Sequence, residues 1–102
     1  MVKHIVMWRL KENAHGKTKD ENIREMIRQL YALKDKIPVI TEIEAGRNFK
    51  EGTGAFDVAL YSSFNSKEDL EKYAKHPEHL KVVEYIRSVV EQRAVVDYEV
   101  PG

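Results

Sequence analysis

Three side chains in this sequence could run acid–base chemistry together: His4, Tyr73 and His79. An imidazole titrates near neutrality and can remove a proton beside a carbonyl. A phenol can donate a hydrogen bond to the oxygen on which charge then develops. Tyr73 and His79 belong to the most informative stretch of the chain, Tyr73-Ala74-Lys75-His76-Pro77-Glu78-His79. Pro77 has no N–H to give the Tyr73 carbonyl four residues back, so a helix must kink or break here and restart with proline in its first turn. Tyr73 follows Leu70 by three residues, on the inward face of the first piece. His79 precedes Val83, Ile86 and Val90 by four, seven and eleven, on the inward stripe of the second. The break lets both converge, where a straight helix would splay residues six apart. His4 shares a strand face with Val2, Val6 and Trp8, and if that face lies under the helices all three groups line one cavity.

Blander roles exist for each. An inward tyrosine serves as core packing with its hydroxyl satisfied, and either His4 or His79 can be a satisfied core histidine. His76, before Pro77, reads as a cap or turn residue, and His15 sits solvated in a polar loop. His4, His76 and His79 could ligate a metal, but their spacing matches no standard zinc motif and no acid is forced to join them. The expected site is therefore His4, Tyr73 and His79, with no cofactor and no metal.

The elements that must position these groups follow from periodicity. Residues 2–11 alternate as a strand, with Val6 and Trp8 on one face and Ile5 and Met7 on the other, so both faces should be covered. After a polar loop over 12–17, Thr18 and Glu21 form a capping-box pattern. Ile23, Met26, Ile27, Leu30, Leu33 and Ile37 then mark an amphipathic helix that Pro38 ends. Residues 39–45 and 55–64 read as strands joined through a loop with glycines at 46, 52 and 54. Ser66 with Asp69 caps the broken second helix, and 94–100 is a last strand.

The order β-α-β-β-α-β specifies an α+β, ferredoxin-like arrangement: a four-stranded antiparallel sheet with helices on one face. The other face, carrying Ile5 and Met7, would lie in water in a monomer. That predicts a homodimer through the open sheet face, two sheets closing as a dimeric α+β barrel.

Composition narrows the chemistry. The chain has 102 residues, so a single domain over 1–102 is expected. Seventeen Lys+Arg balance seventeen Asp+Glu, which gives no electrostatic reason for a nucleic-acid or anionic-membrane partner. The absence of cysteine excludes disulfides, thiolate metal sites and a cysteine nucleophile. Mean hydropathy is −0.54 and no apolar run is long enough for a spanning helix. The strand-like N-terminus lacks signal-peptide features, so a cytoplasmic domain is expected. The loop glycines make no dinucleotide or phosphate loop, and there is no nucleophile elbow.

The chain resembles the stress-responsive A/B barrel (Dabb) domain family of the dimeric α+β barrel superfamily. The likeness is carried by Val2 to Lys11, by Phe64-Asn65-Ser66, by Tyr73 to His79 and by Val95 to Glu99, and the tyrosine followed by His-Pro-x-His is its most specific part. The resemblance implies a homodimeric barrel whose activity is mostly unassigned in the family. One plant member is a polyketide cyclase that closes a linear poly-β-ketone by aldol condensation without a metal. By motif position, its catalytic tyrosine and histidine fall on Tyr73 and His79, and a first-strand pocket histidine falls on His4. Its third-strand pocket histidine has no counterpart here, where Asp57 and Val58 stand. The expected function is binding of a small organic ligand in a cavity between sheet and helices. The alternative is a cofactor-free cyclase, isomerase or lyase acting on a carbonyl compound. A purely structural assembly unit, with no open cavity, is the third possibility.

Overall fold

The computed structural model describes residues 1–101. Its main sheet is built from β1 (Val2–Leu10), β4 (Glu42–Arg47), β5 (Val58–Phe64) and β6 (Val90–Glu99). The strands lie in the order β4-β5-β1-β6 and every pairing is antiparallel. Helices α1 (Lys19–Lys36), α2 (Lys67–Lys75) and α3 (Pro77–Val89) complete the β-α-β-β-α-β order expected from the sequence. At 17 Å, the thinnest dimension holds two layers, a sheet and its helices.

Helix α1 begins where the sequence says it should. The Thr18 hydroxyl accepts from the Glu21 N–H, and the Glu21 carboxylate accepts from the Thr18 N–H. Each satisfies an N-terminal donor that has no partner within the helix. Thr18→Ala should lower stability by about 1 kcal/mol, seen as an unchanged urea m-value with an earlier midpoint. The inward stripe Ile23, Met26, Leu30 and Leu33 meets Val6, Trp8, Leu10 and Leu60 of the sheet in one continuous core.

Four boundaries differ from the sequence reading. The loop at 12–17 folds into a small hairpin, β2 (Asn13–Ala14) with β3 (Lys17–Thr18), turned by His15 and Gly16 at positive φ. His15 is therefore not simply solvated: its Nε2 lies 2.7 Å from Ser88 Oγ and its ring stacks on Tyr85. The second strand begins at Glu42 rather than at 39, because Pro38 and a turn closed by Ile40 N–H to the Ile37 carbonyl occupy the preceding residues. The third begins at Val58 rather than at 55, since Ala55 is held in a turn to Gly52. The last begins at Val90 rather than at 94, with no loop after α3. The long first strand offers partners out to Leu10, across a register shift at Arg9.

The side of the sheet away from the helices stays uncovered. There Met7, Val96 and Tyr98 are 40%, 52% and 42% exposed. Met7 pairs with Ala94 and Ala59, and Ile5 with Val96 and Tyr61, so these side chains form a continuous apolar patch. The chain exposes 6406 Å², somewhat more than the roughly 6000 Å² typical of a compact monomer of this mass. No helix among the described residues is long and apolar enough to cross a membrane.

Candidate functional site

The sheet face under the helices carries Val2, His4, Val6, Trp8 and Leu10 from β1, as the alternation requires. The helix breaks at Pro77 as the sequence predicts: α2 ends at Lys75, and α3 starts at Pro77. Between β1, β6 and these two helices lies a cavity of about 480 Å³ lined by His4, Tyr73 and His79. Its walls are otherwise apolar for the most part, including Val6, Leu60, Val82 and Ile86.

Tyr73 is the central group. It is 1% exposed, and its ring sits 4.2 Å from that of His79, 5.0 Å from that of Phe64 and 6.1 Å, edge-on, from that of His4. Burial pushes its phenol well above the ordinary value, against a smaller opposing pull from Arg93. The group therefore stays a protonated donor across the physiological range.

The helix break also sets the chemistry of His79. In an unbroken helix the Ala74 carbonyl would accept from the Glu78 N–H. That N–H instead goes to His76 Nδ1 at 3.1 Å, the cap of α3. The Ala74 carbonyl is left for His79 Nδ1, at 3.1 Å. A carbonyl only accepts, so Nδ1 carries the proton and the neutral ring keeps its lone pair on Nε2. Burial holds the His79 pKa below its usual 6.5. The Ala74 hydrogen bond works the other way, and the neighbouring basic groups, His4, Arg93 and His76, add to the lowering. His79 is thus a neutral base at pH 7.

His4 is oriented by a residue that the sequence reading missed. β1 and β6 pair with His4 opposite Asp97, and His4 Nδ1 donates to the Asp97 carboxylate. This fixes the His4 tautomer and leaves Nε2 as acceptor. Arg87 and Arg93 also line the cavity. The signal for Asp97 and Arg93 was available in principle. Arg93, Val95 and Asp97 alternate in the last strand, and antiparallel pairing with the first places them on the helix face. His76 does not join the site, since its ring caps α3. Asp57 stays outside it as well. Its carboxylate accepts from the Leu10 N–H at 2.8 Å and meets Lys19 Nζ at 3.5 Å, tying the entrance of β5 to β1 and α1. Trp8 lies on the cavity wall with its indole N–H buried and, among the described residues, without an acceptor.

A split β-α-β sheet with a histidine- and tyrosine-lined cavity beneath a broken helix defines a small ferredoxin-like α+β domain. The chain belongs to the stress-responsive A/B barrel domain family, whose model matches residues 2–100. It is 33% identical over 106 aligned positions to a stress-response A/B barrel domain-containing protein of Arabidopsis thaliana, covering 100% of this chain and 39% of that protein. The chain thus spans about two-fifths of the length of that relative. Among solved structures, a Bacteroides fragilis protein is 35% identical with a TM-score of 0.81, covering 97% of this chain and 95% of that one. It is described as a dimeric protein of unknown function with a ferredoxin-like fold. The hydroxynitrile lyase of Passiflora edulis shares the fold, with a TM-score of 0.82 at 22% identity over 98% of this chain and 93% of that one.

Proposed function

We propose that the cavity under the helices binds a small organic carbonyl compound and that Tyr73 and His79 perform acid–base chemistry on it. The observation that carries this reading is the convergence of His4, Tyr73 and His79 on one cavity of about 480 Å³, within the ordinary range for small-ligand sites of roughly 300–1,000 Å³. His79 Nε2 takes a proton from the carbon beside the carbonyl. The Tyr73 hydroxyl, kept protonated by burial, donates to the oxygen as it gains charge. His4, held by Asp97, is a second site for the proton in transit. A cyclase, isomerase or lyase step can begin with this removal, and no cofactor enters it. The domain works as a homodimer joined through its open sheet faces, a reading supported by the dimeric description of the Bacteroides fragilis relative.

The test is solvent-deuterium exchange into a 1,3-diketone, followed by proton NMR. The protein should accelerate exchange, and His79→Ala should reduce the acceleration about 10²–10⁴-fold. His79 must be neutral to act, and its pKa lies below the ordinary 6.5. The rate should therefore fall with pH through the lowered pKa, with its midpoint below 6.5. Saturable binding without exchange would leave a binding module and remove the catalytic part of the reading. Neither binding nor exchange would remove both.

A further inference from the structure

The chain has six arginines. Four are engaged: Arg9 with Gln92 and the Ala55 carbonyl, Arg24 and Arg47 with Asp20, and Arg28 with Glu25. The remaining two, Arg87 of α3 and Arg93 of β6, have no side-chain hydrogen-bond or ion-pair partner among the described residues. Both line the cavity that holds Tyr73 and His79. They stand on the two elements that flank its opening and are themselves exposed, so their guanidinium groups mark the mouth rather than the floor. The carboxylate on the same lining, Asp97, is already taken by His4. An overall neutral protein thus concentrates its uncommitted arginine charge at one apolar opening. Arg93 is also felt by both Tyr73 and His79, and no carboxylate is among the charges that shift either group.

We propose that the cavity selects an amphipathic carboxylate: an apolar body against Val6, Leu60, Val82 and Ile86, with a carboxylate at the mouth held by Arg87 and Arg93. Guanidinium is suited to the planar, two-oxygen fork of a carboxylate and forms charge-assisted hydrogen bonds with it. The anchored end fixes depth, so a carbonyl further along the ligand is presented to Tyr73 and His79 rather than sliding past them. The substrate class becomes an enolisable keto acid with an apolar tail. This deepens the proposed function and rests on the cavity being a ligand site.

The cavity wall supplies its own reporter, because Trp8 is the sole tryptophan. Titrations of the full chain with octanoate, octanol and octyl phosphate, read by Trp8 fluorescence, decide the matter. Octanoate should bind at least about tenfold more tightly than octanol. Arg87→Gln and Arg93→Gln should each weaken octanoate about tenfold while leaving octanol unchanged. Both arginines are exposed, so neither substitution threatens the fold. Equal binding of octanoate and octanol, insensitive to both substitutions, would overturn the anionic head while leaving the cavity as a ligand site. Tighter binding of octyl phosphate, weakened by the same substitutions, would overturn the carboxylate in favour of a phosphate. Binding of none of the three would remove both this inference and the reading on which it rests.

Discussion

Tyr73→Phe should leave the fold intact and cut carbonyl-dependent proton exchange by about 10²–10³-fold, the loss usual when one donor to a developing oxyanion is removed. The two halves of that expectation come from different atoms. The ring is nearly sealed among Phe64, His4 and His79, and phenylalanine preserves those contacts. The hydroxyl has no place in that packing: burial raises its pKa, and no hydrogen bond among the described residues offsets the effect. Tyr73→Ala separates the roles from the other side. It removes a buried aromatic and should cost about 3–5 kcal/mol, enough to lower the unfolding midpoint visibly in urea. A Phe variant as active as the parent would reduce Tyr73 to packing and leave proton transfer to the two imidazoles alone. Loss of exchange with full stability places the hydroxyl in the chemistry. The comparison needs both variants, because Ala alone confounds a collapsed site with a missing donor.

How far these roles could be read from the sequence depended on whether a signal was local. Pro77 dictates a helix break by its missing N–H, so the convergence of Tyr73 and His79 followed from a single residue and two apolar stripes. The alternation in Val2–Leu10 likewise grouped His4 with Val2, Val6 and Trp8, and the structure sets that face under the helices. The tautomer of His79 depends on a chain of consequences. His76 takes the Glu78 N–H, and only then is the Ala74 carbonyl left for His79. Asp97 was missed for another reason: its partner lies 93 residues away, and the register of β1 against β6 is what brings it opposite His4. The start of β6 was missed because Glu91, Gln92 and Arg93 are polar on both sides. An edge strand half open to solvent needs no alternation to pair. Asp57 looked like a pocket position from the family pattern, yet it binds the Leu10 N–H. A carboxylate beside an unpaired amide at a strand end is captured locally before it can face a cavity.

Introducing lysine at both Met7 and Val96 should convert the protein from a species of about twice 11.9 kDa to a single chain of 11.9 kDa in sedimentation equilibrium. The expectation rests on the geometry of the bare sheet face. Met7 and Val96 point away from the helices on neighbouring strands and are 40% and 52% exposed in the isolated chain. A two-fold contact presents the same patch from both copies, so each added ammonium is buried against apolar surface and opposed by like charge. Stability should fall with the loss of assembly and become independent of protein concentration, since the folded monomer no longer gains from association. Val95→Lys is the internal control. It lies one residue away on the same strand and is similarly exposed, at 47%. Its side chain, however, points to the cavity side, because successive strand residues face opposite ways. Its mass should remain that of the dimer. If the double lysine variant keeps the doubled mass, the copies join through some other surface. The apolar stripe of Ile5, Met7 and Val96 would then need another cover. If both variants dissociate, the contact runs around the β6 edge rather than across the sheet. Dissociation of the first with retention in the second assigns the open face, and only that face, to the second copy.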